Sequence, residues 1–99
     1  MWQIKIHSLV LKEDLHVLDS TQKQTILKAI EKKLSLAPES YGEPLKGKYF
    51  GYWLLRAGDY RIVYRILKDE IIVLVIKVGI RKDDQIYKEL FSRIKKLDL

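Results

Sequence analysis

The 99-residue sequence contains no cysteine, which excludes a disulfide framework, a thiolate metal site and a cysteine nucleophile. Its only histidines, His7 and His16, are isolated and make no metal site. Low-complexity tracts and internal repeats are absent. The longest apolar run, Ile71 to Ile76, is far too short for a membrane span. Met1-Trp2-Gln3 leads directly into a strand pattern rather than a signal peptide, so the default is a cytoplasmic protein with no membrane association. Acidic charge is also scarce: 13 Asp and Glu face 19 Lys and Arg, a net charge of +6. The acids fall mostly on expected helices and turns, whereas arginine concentrates in the second half. That asymmetry favours nucleic acid or an acidic protein as partner over a small neutral substrate.

At this length one domain over residues 1–99 is expected, with a hydrophobic fraction of 47% ordinary for a globular chain. The chain is organised around residues 49–87. Three segments there alternate apolar and polar residues and are joined by loops fit only for hairpins, which predicts an antiparallel meander: 52–56, 60–67 and 71–78. Gly58 supplies the residue that takes positive φ cheaply in the first turn.

Side chains alternate between the two faces of a strand, so parity sorts the sheet. One face collects Trp53, Leu55, Ile62, Tyr64, Ile66, Ile72, Leu74, Ile76 and Val78, a core. The other collects Tyr52, Leu54, Arg56, Arg61, Val63, Arg65, Val73, Val75 and Lys77, with Arg81 just beyond the strand. Four arginines, a lysine and an aromatic then share a surface that packing does not require to be basic, which points to a polyanion.

Ahead of the meander, residues 2–7 alternate as a half-buried strand. Helical spacing predicts a helix over 9–18 and a second over 21–36, opened by Asp19 and Gln22 as a capping box and stopped by Pro38. A connector over 38–47 follows, with Lys46 and Lys48 placed to extend the basic surface. A last helix is expected over 83–97, with Asp83 and Asp84 at its positive end, a buried stripe of Ile86, Leu90, Ile94 and Leu97, and Lys88, Arg93, Lys95 and Lys96 on the wet side. The expected order is β-α-α-β-β-β-α, an α+β fold with an antiparallel sheet packed on an N-terminal helical hairpin.

The segments Leu45-Lys46-Gly47, Gly58-Asp59-Tyr60-Arg61-Ile62-Val63-Tyr64 and Val78-Gly79-Ile80-Arg81 followed by Tyr87, in this order and spacing, resemble the RelE/ParE superfamily of toxins from type II toxin–antitoxin systems. The resemblance runs over essentially the whole chain. It implies a RelE-like endoribonuclease that cuts messenger RNA on the ribosome by attack of a ribose 2′-hydroxyl on the adjacent phosphate, without a cofactor. Arg61 and Arg81 match residues that would hold and neutralise the scissile phosphate, and Tyr87 one that stacks on a base or moves a proton. Lys46, Lys48, Tyr52, Arg56, Arg65 and Lys77 would add nucleic-acid contacts. RelE carries two lysines on the first meander strand where this chain has Tyr52 and Leu54. That departure keeps open the family's other activity, ParE-like inhibition of DNA gyrase by binding alone. Either activity implies a cognate antitoxin with an acidic, partly disordered segment.

Each of these residues also has a purely structural use. Arg61 suits an ion pair with Asp59 or Glu70, Arg81 can solvate a strand end, and Tyr87 flanks a buried helical stripe.

Overall fold

The computed structural model describes residues 1–80 and 83–97. Arg81, Lys82, Asp98 and Leu99, together with the side chains of Asp83 and Asp84, lie outside the described residues. The fold is α+β. Alternation in the first residues gives β1 (Gln3–Ile6). A helical turn over Val10–Asp14 follows, then α1 (Ser20–Ala29), which runs on as a turn over Ile30–Leu34. Next come α2 (Pro38–Tyr41), β2 (Glu43–Pro44), β3 (Trp53–Ala57), β4 (Tyr60–Leu67), β5 (Ile72–Gly79) and α3 (Asp83–Lys96). The capping box forms as expected. The Asp19 carboxylate accepts the Gln22 amide N–H at 2.8 Å, and the Gln22 side chain accepts the Asp19 amide N–H at 3.1 Å. Among the described residues no helix is long and apolar enough to cross a membrane.

The sheet has five strands in the order β1-β5-β4-β3-β2. The meander β3-β4-β5 is antiparallel, turned at Gly58 with φ +61°. β1 is the exception to the expected all-antiparallel sheet and pairs parallel with β5, with the helices and β2, β3 and β4 lying between them in sequence. The first helix is also shorter than its periodicity predicts. The Leu15 N–H donates to the Val10 carbonyl five residues back, a π-helical turn. This widening turns Asp14 inward and leaves Leu11 exposed. Pro38 does more than stop a helix, since it opens α2 in the first turn, where a missing N–H costs nothing.

Helices cover both faces of the sheet. One core joins Val10, Leu15, Ile26, Ile30 and Leu34 to Leu55, Ile62, Tyr64, Val73, Val75 and Val78. A second joins Ile86 and Leu90 of α3 to Leu54, Val63 and Ile76. Burying one such aliphatic side chain contributes about 1.5–3 kcal/mol. The parity assignment fails in β5 because of a bulge. Val63 faces Lys77 while Tyr64 faces Val75, so Ile76 is an extra residue. Val73 and Val75 therefore join the helical-hairpin core rather than the basic face, and Leu74 and Ile76 move to the α3 side.

Tyr64 anchors the hairpin core. Its ring is fully buried, stacks on Trp53 with centroids 6.4 Å apart, and its hydroxyl donates to the Pro38 carbonyl at 2.6 Å. Burial pushes its pKa above the ordinary tyrosine value. Gly42 is glycine for this reason: a Cβ there would lie 1.9 Å from the Tyr64 hydroxyl oxygen.

Candidate nucleic-acid interface

The face expected to be open and basic is divided by α3. Leu54 pairs with Val63 in the β3-β4 ladder, and both are buried under Ile86 and Leu90. Two residues to one side lies the cross-strand pair Arg56 and Arg61. Two residues to the other side come Tyr52 and Arg65, with the Arg65 guanidinium 5.6 Å from the centre of the Tyr52 ring. The two groups are roughly 13 Å apart along β3.

At the hairpin end Arg56 pairs with Glu43 at 2.9 Å. The Arg61 guanidinium donates to the carbonyls of Gly58 and Tyr60 at 3.0 and 3.1 Å, which holds it against its own turn. Arg61 thus has a structural role alongside any functional one, with backbone carbonyls rather than Asp59 or Glu70 as these acceptors. Arg81 lies outside the described residues.

The other end is richer than the sequence suggests. A tight turn over Gly47–Tyr49, with Gly47 at φ +63°, lays the connector against α3. Tyr49 stacks on Tyr87 with ring centroids 5.9 Å apart and planes at 18°, and its hydroxyl donates to the Tyr87 carbonyl at 3.1 Å. The Lys48 ammonium lies 5.4 Å from the Tyr49 ring centre and 4.6 Å from that of Phe91. Lys95 approaches the same Phe91 ring at 4.3 Å. Two shallow grooves meet on the tyrosine pair: one of about 390 Å³ lined by Glu43, Pro44, Leu45 and Lys46, the other of about 400 Å³ lined by Lys48, Lys88 and Phe91. Planar rings beside exposed cations form a surface on which single-stranded bases stack while ammonium groups meet phosphates.

Tyr87, Lys46 and Lys48 therefore come together, and Tyr52 and Arg65 form a second pair. Tyr49 and Phe91 were missed in the sequence. Their available signals were the Lys48-Tyr49 neighbours and the four-residue step from Tyr87 to Phe91 on one helix face.

Lys77 is a correction. Parity put it on the open face, but its ammonium is 2.9 Å from Asp14 and 3.2 Å from Glu89, and the residue is 9% exposed. Arg93, expected on the wet side of the last helix, is 3% exposed. Its guanidinium donates to both Asp14 carboxylate oxygens at 2.8 Å, to Glu13 at 2.9 Å and to the Ile76 carbonyl at 3.0 Å. Burial opposes the Arg93 charge, but bonding to Asp14 and Glu13 more than offsets it and raises the pKa. Asp14 also accepts the Val78 N–H at 2.9 Å. Among the described residues no buried side-chain nitrogen or oxygen lacks a partner.

This sheet, with a helical layer on one face, a C-terminal helix on the other and an aromatic–lysine surface beside that helix, defines a small α+β class to which several bacterial proteins are similar. The family model described as "ParE toxin of type II toxin-antitoxin system, parDE" matches residues 5–85, and the chain belongs to that family. It is a toxin of a type II toxin–antitoxin system. The mRNA interferase toxin RelE of Escherichia coli K12 is 32% identical over 78 residues, covering 78% of this chain and 81% of RelE. Among solved structures, the RelBE2 toxin–antitoxin complex of Mycobacterium tuberculosis contains a chain with TM-score 0.76 at 26% identity, covering 81% of this chain and 98% of that one. The isolated E. coli RelE toxin gives TM-score 0.66 at 25% identity, over 95% of this chain and 99% of that one.

Proposed function

We propose that this toxin is a RelE-like endoribonuclease that cuts ribosome-bound messenger RNA in the cytoplasm. The observation that carries the reading is the 32% identity to an mRNA interferase over most of both chains. The surface chemistry agrees with it. Tyr49 and Tyr87 offer stacked rings to a base, with Lys46 and Lys48 beside them for phosphates. Arg61, with Arg81 from the Val78-Gly79-Ile80-Arg81 segment, neutralises charge as the 2′-hydroxyl oxygen bonds to phosphorus and the 5′-oxygen leaves. Arg56 and Arg65 add phosphate contacts, each from one end of the divided face. Lys77, buried between two carboxylates, holds the fold instead.

The partner is a cognate antitoxin, as the relatives solved as toxin–antitoxin complexes suggest. An acidic segment of it would complement the net charge of +6.

Gyrase inhibition is the second reading, and one position favours it. Leu54, where RelE has a lysine, is 1% exposed beneath α3, so the catalytic cation expected there is both absent and covered. Mapping messenger RNA 5′ ends in a translating extract separates the two. Ribosome-dependent cuts that fall about a hundredfold with Arg61→Ala support the nuclease. Intact messenger RNA with inhibited supercoiling would replace it with the gyrase reading.

A further inference from the structure

Phe91 is a large apolar ring left 45% exposed on α3, four residues beyond Tyr87. Four residues advance a helix by about 6 Å on the same face, roughly two stacked nucleotide steps. The groove between the two rings is lined by Lys48, Tyr49, Tyr87, Lys88 and Phe91, three aromatics and two cations with no carboxylate. The Lys48 and Lys95 ammonium groups lie against the Phe91 ring, at 4.6 and 4.3 Å. Both lysines are exposed on flexible stems. A contact of that kind is weaker than a base stacked on an aromatic ring, so a base can displace either ammonium and leave it to a phosphate.

We propose that Phe91, with Lys48 and Lys95, is a second stacking position, taking a base of the single-stranded RNA about two nucleotides along from the one at Tyr87. The proposal rests on the nuclease reading above and adds a specificity-determining residue to it. A planar ring ringed by cations suits a nucleotide, whose base and phosphate satisfy both at once.

The test is ribosome-dependent cleavage of messages in which single bases around the cut are removed in turn, leaving the sugar–phosphate chain intact. Full-length wild type, Phe91→Ala, Phe91→Leu and Phe91→Trp are compared, with thermal melts alongside. Phe91→Ala and Phe91→Leu are expected to slow cleavage of the intact message about tenfold, and Phe91→Trp to restore it. Removing the base that stacks on Phe91 should slow wild type by the same factor and leave Phe91→Ala no slower than before. Leucine keeps the apolar bulk, so its loss isolates the ring. Cleavage by Phe91→Leu at the wild-type rate would overturn the proposal, as would losses that add at every position. Normal cleavage with weakened neutralisation by antitoxin would also overturn it, marking a protein-binding surface. Failure of wild type to cut any message would instead remove the nuclease reading, and this proposal with it.

Discussion

Two regions of the molecule use the same side chains for opposite ends. Under α3, Lys77 and Arg93 are buried against Asp14, Glu13 and Glu89, and among the described residues no buried side-chain nitrogen or oxygen lacks a partner. On the outer side of the same helix, Lys48 and Lys95 stay in solvent and rest on rings. Lysines and arginines look alike in a sequence and diverge here according to whether the buried carboxylate of Asp14 reaches them. Asp14 reaches Lys77 across 63 residues of sequence and Arg93 across 79. The buried cations tie the helical hairpin, β5 and α3 together. The exposed ones are left for a polyanion.

The contrast can be broken most strongly at Asp14. Asp14→Ala leaves two buried cations without their shared acceptor, and removing one partner of a buried pair costs about 3–5 kcal/mol. A thermal melt should fall by at least about 12 °C, given roughly 4–8 °C per kcal/mol for a domain of this size. Wild-type stability after that change would make the cluster a surface feature.

A smaller effect sharpens the boundary of the buried region. Tyr64→Phe removes the hydroxyl that donates to the Pro38 carbonyl, at a cost of about 1–3 kcal/mol by chemical denaturation. The folded state holds the Tyr64 proton more tightly than the unfolded chain does. Its contribution is therefore fully present below the unfolded value near pH 10 and is lost as pH rises beyond it, by about 1.4 kcal/mol per pH unit. Tyr64→Phe should flatten that alkaline slope. An unchanged slope would show that Tyr64 is not what titrates.

Much of the fold is legible in the residues themselves. Alternation places the meander, Asp19 and Gln22 start α1, and Gly58 turns β3 into β4, because each signal is local. The bulge at Ile76 is not legible. One extra residue inverts the faces of Val73 to Ile76 without changing the apolar character of the run, so parity carried through β5 gives the wrong side. The π-helical turn that buries Asp14 is likewise invisible, since its sequence reads as an ordinary helix. In the candidate site, Tyr87, Lys46 and Lys48 were readable by motif and position. Tyr49 and Phe91 join them only through a turn that folds the connector onto α3. Lys77 and Arg93 were misplaced because the carboxylate they share, Asp14, lies more than 60 residues away from each.

The most direct test of the division between holding and acting cations compares Arg61→Ala with Lys77→Met, measuring thermal stability and ribosome-dependent cleavage per folded molecule for each. Arg61→Ala is expected to melt within a few degrees of wild type and lose cleavage about a hundredfold, whereas Lys77→Met should lower the melting temperature and keep cleavage. Full cleavage by Arg61→Ala, or an abolished reaction in a stable Lys77→Met, would contradict that division.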